Sequence, residues 1–302
     1  MQRFLHGFLL VSCIASTAGC GNLGGTAQLP PFGSGLPKIS ASPEVHSLEH
    51  RMSELVNRDR RKHGLPPLVY DERLADVGRA HSADMQKHHF FDHESPTFGR
   101  LEHRLARAGY LYVTSRENLA EAPDIEEAEQ GLLKSPHHFE NLMATDIASI
   151  GIGIVKGGVQ DPRNLLVTQV FSTPGKSEND AQALHNVMDV IQVARGKGGL
   201  KALPRLPALD NMAQGHLSAL KSDLSEGQLR PVAKAVAEQL AKKPIAKVTR
   251  ISVSGQVVVD SSQFQVQGAL LESSARGYGI AVGHELDSAG AKRLKVLVLV
   301  GL

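Results

Sequence analysis

Apolar residues recur at helical spacing through the first third of the chain. Val45, Leu48, Met52, Leu55 and Val56 share one stripe that Gly64 closes, which predicts a first helix starting near Glu44. The stretch "PPLVYD" (66–71) follows as an extended link. Asp71 can then cap a second helix with Leu74, Val77, His81 and Met85 on one face. A short third helix, "RLEHRLARAGY", ends at Gly109. A fourth, "DIEEAEQGLLKS", sets Ile125, Ala128 and Leu132 together. The period then changes. "SIGIGIV" (149–155) alternates Ile with Gly, and "LLVTQVFS" (165–172) is rich in strand formers. Helices followed by strands, with few βα alternations, predict an α+β fold with helices covering an antiparallel sheet.

The rest of the chain repeats this order. With one two-residue gap, Val56, Arg58, Gly64, Leu65, Leu68, Leu74 and His81 meet Val193, Arg195, Gly199, Leu200, Leu203, Leu209 and His216. "QGLLKS" (130–135) is matched by "QGALLES" (267–273), "IGIGIV" (150–155) by "YGIAVG" (278–283), and "NLLVTQVFS" by the final "LKVLVLVGL". The expectation is one domain over 44–175 and a degenerate second copy over 183–302.

A length of 302 residues, 41% hydrophobic and 21% charged, suits one or two domains with real cores. Net charge is +2, so no one-signed field points to nucleic acid. With no Trp, an aromatic stacking platform is not expected. The first twenty residues, "MQRFLHGFLLVSCIASTAGC", join one basic residue to an apolar run too short to span a membrane, as an export signal does. Their end resembles a bacterial lipobox, which would make Cys20 the lipidated first residue of the mature chain. Cys13 and Cys20 are the chain's two cysteines, so a mature domain has no disulfide to rely on. Residues 21–43, dominated by Gly, Pro and Ser, suit a flexible tether. The chain is therefore expected to be exported and lipid-anchored at a bacterial envelope, or secreted if Cys20 carries no lipid.

Candidate chemistry lies in "FFDHESP" (90–96), "RENLAE" (116–121) and "KSPHHFEN" (134–141). They offer His93 on a loop begun by Phe90 and Phe91, which should plug into the core. They also offer Glu117 in a short link and His138 near the start of a short helix. Two neutral imidazoles and a carboxylate suit Zn²⁺ with a position left for water, although the spacing matches no compact metal motif. The second copy has no such set, which argues for function over folding. His81 and His216 fit a structural role on a helix stripe, and the charge run "RDRRKH" (58–63) fits a solvated face.

The ordered series "VNRDRRKHGLPPLVYDERL", "AHSADM", "FFDHESP", "ENLAE", "KSPHHFEN", "IGIGI" and "VTQVF" resembles the bacterial branch of the CAP superfamily (cysteine-rich secretory protein, antigen 5 and pathogenesis-related 1), also called SCP-like. The resemblance covers roughly 48–173. It implies an α-β-α sandwich with an open cleft holding two His and two Glu, the two His able to bind a divalent metal. His93, Glu117 and His138 take three of those places. Ser135 stands where the second Glu would be, and Leu132 where an aromatic is usual. Asn141 and Gln169 match positions near the cleft. Three readings follow: a binding module for an envelope component or small ligand, a hydrolase in which metal-bound water, Glu117 or Ser135 does the chemistry, and a sterol or fatty-acid carrier.

Overall fold

The computed structural model describes residues 35–221, 224 and 226–302. The expected export signal with Cys20, and most of the tether, lie outside the described residues. Two compact units are present, 35–175 and 176–288 with 292–302.

In the first unit, helix α1 (Pro43–Lys62) begins at Ser42, whose Oγ accepts from Val45 N at 3.3 Å. Its apolar stripe buries Met52, Leu55 and Val56. The run at 58–63 is not a solvated face throughout, because Arg60 and Asp59 are buried. Arg60 donates from Nε to Pro66 O (3.1 Å) and from Nη1 to Leu142 O (2.8 Å) and Ala144 O (2.9 Å). Its charge thereby closes carbonyls that would otherwise be orphaned.

Strands β1 (Val69–Tyr70), β2 (Tyr112–Ala122), β3 (Ser149–Lys156) and β4 (Leu165–Pro174) form one sheet in the order β1-β3-β4-β2. β1 pairs with β3 in parallel and the other pairs are antiparallel, so the link at 66–71 makes the sheet mixed rather than purely antiparallel.

The Ile/Gly alternation of β3 has a direct cause. Ile150, Ile152 and Ile154 face α1, together with Ile125 and Leu132 of α4 (Ile125–Lys134) and Leu142 of α5 (Pro136–Leu142). The opposite face presents Gly151 and Gly153 to helix α2 (Glu72–His88). A Cβ added at Gly151 would lie 2.1 Å from Ala75 N, and one at Gly153 2.0 Å from Arg79 N. The helix backbone rests on the strand where only glycine leaves room. Leu74 and Val77 of α2 and Leu101 and Leu105 of α3 (Leu101–Arg107) complete this second layer with Tyr110, Tyr112 and Val170. The layers run helix, sheet, helix.

The link expected around Glu117 is instead the eleven-residue edge strand β2, paired along its length with β4.

The second unit carries α6 (Asp180–Lys197), α7 (Pro207–His216), α8 (Glu226–Lys242), β5 (Ile251–Val258), β6 (Gly277–Leu286) and β7 (Lys292–Gly301). Its sheet has the order β5-β7-β6, all antiparallel. Here too the last strand lies between the two before it. Arg205 makes an isolated parallel bridge to Tyr278. A Cβ on Gly279 would lie 2.2 Å from the Leu209 carbonyl carbon, so α7 rests on β6 as α2 rests on β3.

Candidate functional site

Glu117 is the hub of the site. Its side chain points from β2 into a buried position, where Arg104 of α3 grips both oxygens. Nη1 donates to Oε2 at 2.7 Å and Nη2 to Oε1 at 3.1 Å. Arg104 is fully buried and also donates to His93 O at 2.9 Å, so one guanidinium fixes the carboxylate and the loop beside it. His93 Nδ1 lies 2.9 Å from Glu117 Oε1. Burial alone would raise the Glu117 pKa. The Arg104 charge and the hydrogen bonds from His93 and Arg104 outweigh it and hold the carboxyl at about 2. An ionised Glu117 accepts from Nδ1–H, which raises the His93 pKa and leaves its Nε2 unused by that bond on a side chain that is 57% exposed.

The His93 loop is anchored by Ser95, not by the phenylalanine pair. Phe90 packs near Met85, Leu119 and Leu166, but Phe91 is 38% exposed. Buried Ser95 donates to Asp84 Oδ2 at 2.5 Å and accepts from Thr97 N (3.0 Å) and Phe98 N (2.7 Å). His81 supports the same loop through Asp92 O at 2.9 Å. Burial and the nearby Arg104 charge push His81 down to about 4, so it donates as a neutral ring in a structural role. His216 of the second unit contacts Gln239 at 3.2 Å instead.

The second imidazole arrives on α5. Asn118 Nδ2 donates to His138 O (3.2 Å) and to Gln169 Oε1 (3.1 Å). Asn141 Nδ2 donates to Glu117 O (3.1 Å) and Asn118 Oδ1 (2.9 Å). These amides stitch α5 to β2 beside Glu117. His138 is pushed below its ordinary pKa by burial first, and then by the charges of His93 and His137. Gln169, expected at the cleft, is instead fully buried beneath it. Its amide is spent on Asn118 and on Glu129 Oε2 at 3.1 Å. Gln169 and Asn141 therefore hold the floor together.

Glu129 was not singled out in the sequence. It is buried on α4, and its Oε1 has no partner among the described residues. Burial raises its pKa to about 7 against the opposing hydrogen bond from Gln169.

The donor set fits a two-imidazole metal site. His93 and His138 would supply ring nitrogens to such an ion, and Glu117 would orient His93 from behind. Glu117 itself is no ligand, since Arg104 and His93 occupy its oxygens. His93, Glu117 and His138 also do not gather three ligand atoms within 4.8 Å, as another trio in this unit does. The same geometry removes Glu117 as a general base: a carboxylate at about 2, clamped by Arg104, has little proton affinity at neutral pH. Ser135 occupies the cap position of α5. Its side chain makes no capping hydrogen bond to the helix.

Residues 53–171 match the family model "CAP: Cysteine-rich secretory protein family", and this unit is a CAP domain of the α+β type. Over 120 residues the chain is 37% identical to the uncharacterized protein YkwD of Bacillus subtilis (strain 168), covering 39% of this chain and 47% of that protein. Over 107 residues it is 34% identical to the uncharacterized membrane protein YlbC of the same strain, covering 35% of this chain and 31% of that one. The chain thus spans less than half the length of these curated relatives. Among solved structures, an extracellular protein containing a SCP domain from Bacillus anthracis str. Ames shares 31% identity over 44% of each chain, with a TM-score of 0.40. No helix among the described residues is long and apolar enough to cross a membrane.

Proposed function

We propose that the CAP domain is a binding module at the bacterial cell envelope, whose cleft presents His93 and His138 to a divalent metal such as zinc or to a polar group of an envelope ligand. The Arg104–Glu117–His93 relay carries this reading. A salt bridge that only stabilised the fold would not need to hold a half-exposed imidazole. A metal held there would supply Lewis acidity and an open coordination position. The chain itself sets the tautomer of His93 and the station of α5. Zinc titration followed by histidine-ring NMR should move the His93 and His138 resonances together, and Glu117→Gln should weaken that response tenfold or more. Resonances that stay in place under saturating zinc would remove the metal from this cleft. Hydrolysis has less support, because Arg104 and His93 hold Glu117 as an engaged carboxylate with little affinity for a proton.

We further infer that Cys20 carries a lipid anchor, joined to the module by the tether. Mass spectrometry of the mature N-terminal peptide should show acyl chains on Cys20, and an unmodified peptide would make the protein secreted.

The second unit reads best as a degenerate copy. Asn57 and Leu68 exchange two hydrogen bonds (2.9 and 2.7 Å), as do Gln192 and Leu203 (3.0 and 3.2 Å). Arg60 reaches Pro66 O and Leu142 O, and Arg195 reaches Lys201 O and Leu270 O. Subtracting 57 from 192, 60 from 195 and 68 from 203 gives 135 each time, so these contacts support a pairing without the two-residue gap. Arg195 then answers Arg60, not Arg58. Following the strand registers, Val253, Ser254 and Val298 stand where the first unit has Glu117, Asn118 and Gln169. In this reading the scaffold was kept and the polar site was lost, which leaves the second unit a scaffold or partner-binding role.

A further inference from the structure

A second group of metal-ligating side chains sits near the starts of α1 and α2. His46 and His50 lie one turn apart on α1, and Glu72 opens α2. One ligand atom from each falls within 4.8 Å of the other two. We propose that His46, His50 and Glu72 form a binding site for a borderline divalent cation, with Zn²⁺, Ni²⁺ and Cu²⁺ as the class, independent of the cleft.

Spacing supplies the first argument. Histidines four apart project from one helix face, which is how two imidazoles come to share one ion. Their ring centroids are 4.6 Å apart. His50 is held from its other side by Tyr70, whose ring centroid is 4.2 Å away, so its plane is set before any ion arrives. The carboxylate is set as well. Glu72 Oε1 pairs with Arg79 Nη2 at 2.7 Å, and Arg79 is itself locked by Glu49 (2.7 Å) and Asp76 (2.9 Å). Glu72 Oε2 is left facing His46 Nε2 at 3.7 Å. Ligands about 2.0–2.2 Å from one zinc stand within reach of this spacing after small rotamer changes.

Charge supplies the second argument. Both helices begin near the site, and helix N-termini disfavour a cation. Two neutral imidazoles alone would face that field uncompensated, so the carboxylate is required. His46 and Glu72 are half exposed, which leaves the ion a position for water or a fourth ligand. Binding would clip the first turns of α1 to the start of α2.

The test uses the full chain carrying His93→Ala and His138→Ala, so that the cleft contributes no imidazole. Calorimetric titration with Zn²⁺ should show one equivalent, with His46 and His50 ring resonances moving together and a higher Tm with the ion. Adding His50→Ala or Glu72→Gln should cut affinity tenfold or more and abolish the Tm rise. The substituted side chains are exposed, and unchanged far-UV circular dichroism confirms the fold. Zinc affinity retained within twofold in both variants, or movement of other histidine resonances instead, overturns the site. In the unsubstituted chain, one equivalent in place of two would count against the cleft alone.

Discussion

Arg104→Met lowers the unfolding free energy by roughly 3–5 kcal/mol at pH 7, the scale of leaving one buried charge without its partner. Arg104 is the cation that grips both Glu117 oxygens, and neither residue has solvent to fall back on. The loss should follow pH in a defined sense. Glu117 is held at about 2 against an ordinary 4.5, so its contribution is present above 4.5 and vanishes as pH falls towards 2. In Arg104→Met that acid-side dependence flattens or reverses. Adding Glu117→Gln to Arg104→Met should recover most of the stability, because no unpaired charge remains. Urea unfolding of the three variants from pH 3 to pH 8 measures this. A double variant no more stable than Arg104→Met would show that packing of the guanidinium, not its charge, carries the effect.

Glu129→Gln is expected to stabilise the protein, which is uncommon for a change at a buried polar position. The carboxyl of Glu129 is raised to about 7 by burial, against 4.5 in an open chain. A raised carboxyl favours the folded state while protonated. Its contribution is complete below 4.5 and is lost as pH climbs through 7. The difference corresponds to about 3 kcal/mol at pH 8. The amide that replaces the carboxyl would keep an oxygen for the Gln169 side chain and carry no charge. The variant and the parent should match near pH 4.5 and separate steadily above it. A gap in stability that does not change with pH would mean Glu129 is not the titrating group. Because Gln169 links Glu129 to Asn118, and Asn118 to the His138 carbonyl, the same titration should appear in the α5 amide resonances.

Much of the frame was legible from period alone. The α1 and α2 stripes and the Ile/Gly alternation of β3 each correspond to a packed face. The strand around Glu117 was not legible. Arg116, Glu117, Asn118 and Glu121 put polar groups on both faces of β2, because the edge strand serves the site on one side. Several buried charges were also missed, and three of them left a trace. Arg104 shares a stripe with Leu101 and Leu105, Glu129 lies between Ile125 and Leu132, and Arg60 is four beyond Val56. A charged residue on an apolar stripe marks a buried partner, as for Arg104 with Glu117, or a perturbed titration, as for Glu129. His93, Glu117 and His138 were identified by type and by the resemblance. The partners of Glu117 were hidden, because Arg104 lies on a different element and nothing in the sequence joins the two.

The glycine bed of β3 also governs what can be measured. With its backbone seated on Gly151 and Gly153, α2 is packed directly against β3. It carries Glu72 at one end and Asp84, which moors the His93 loop, about 18 Å further along. A paramagnetic ion such as Cu²⁺ seated at Glu72 would then act as a fixed beacon, and its line broadening would gauge how far any molecule captured beside that loop lies from it.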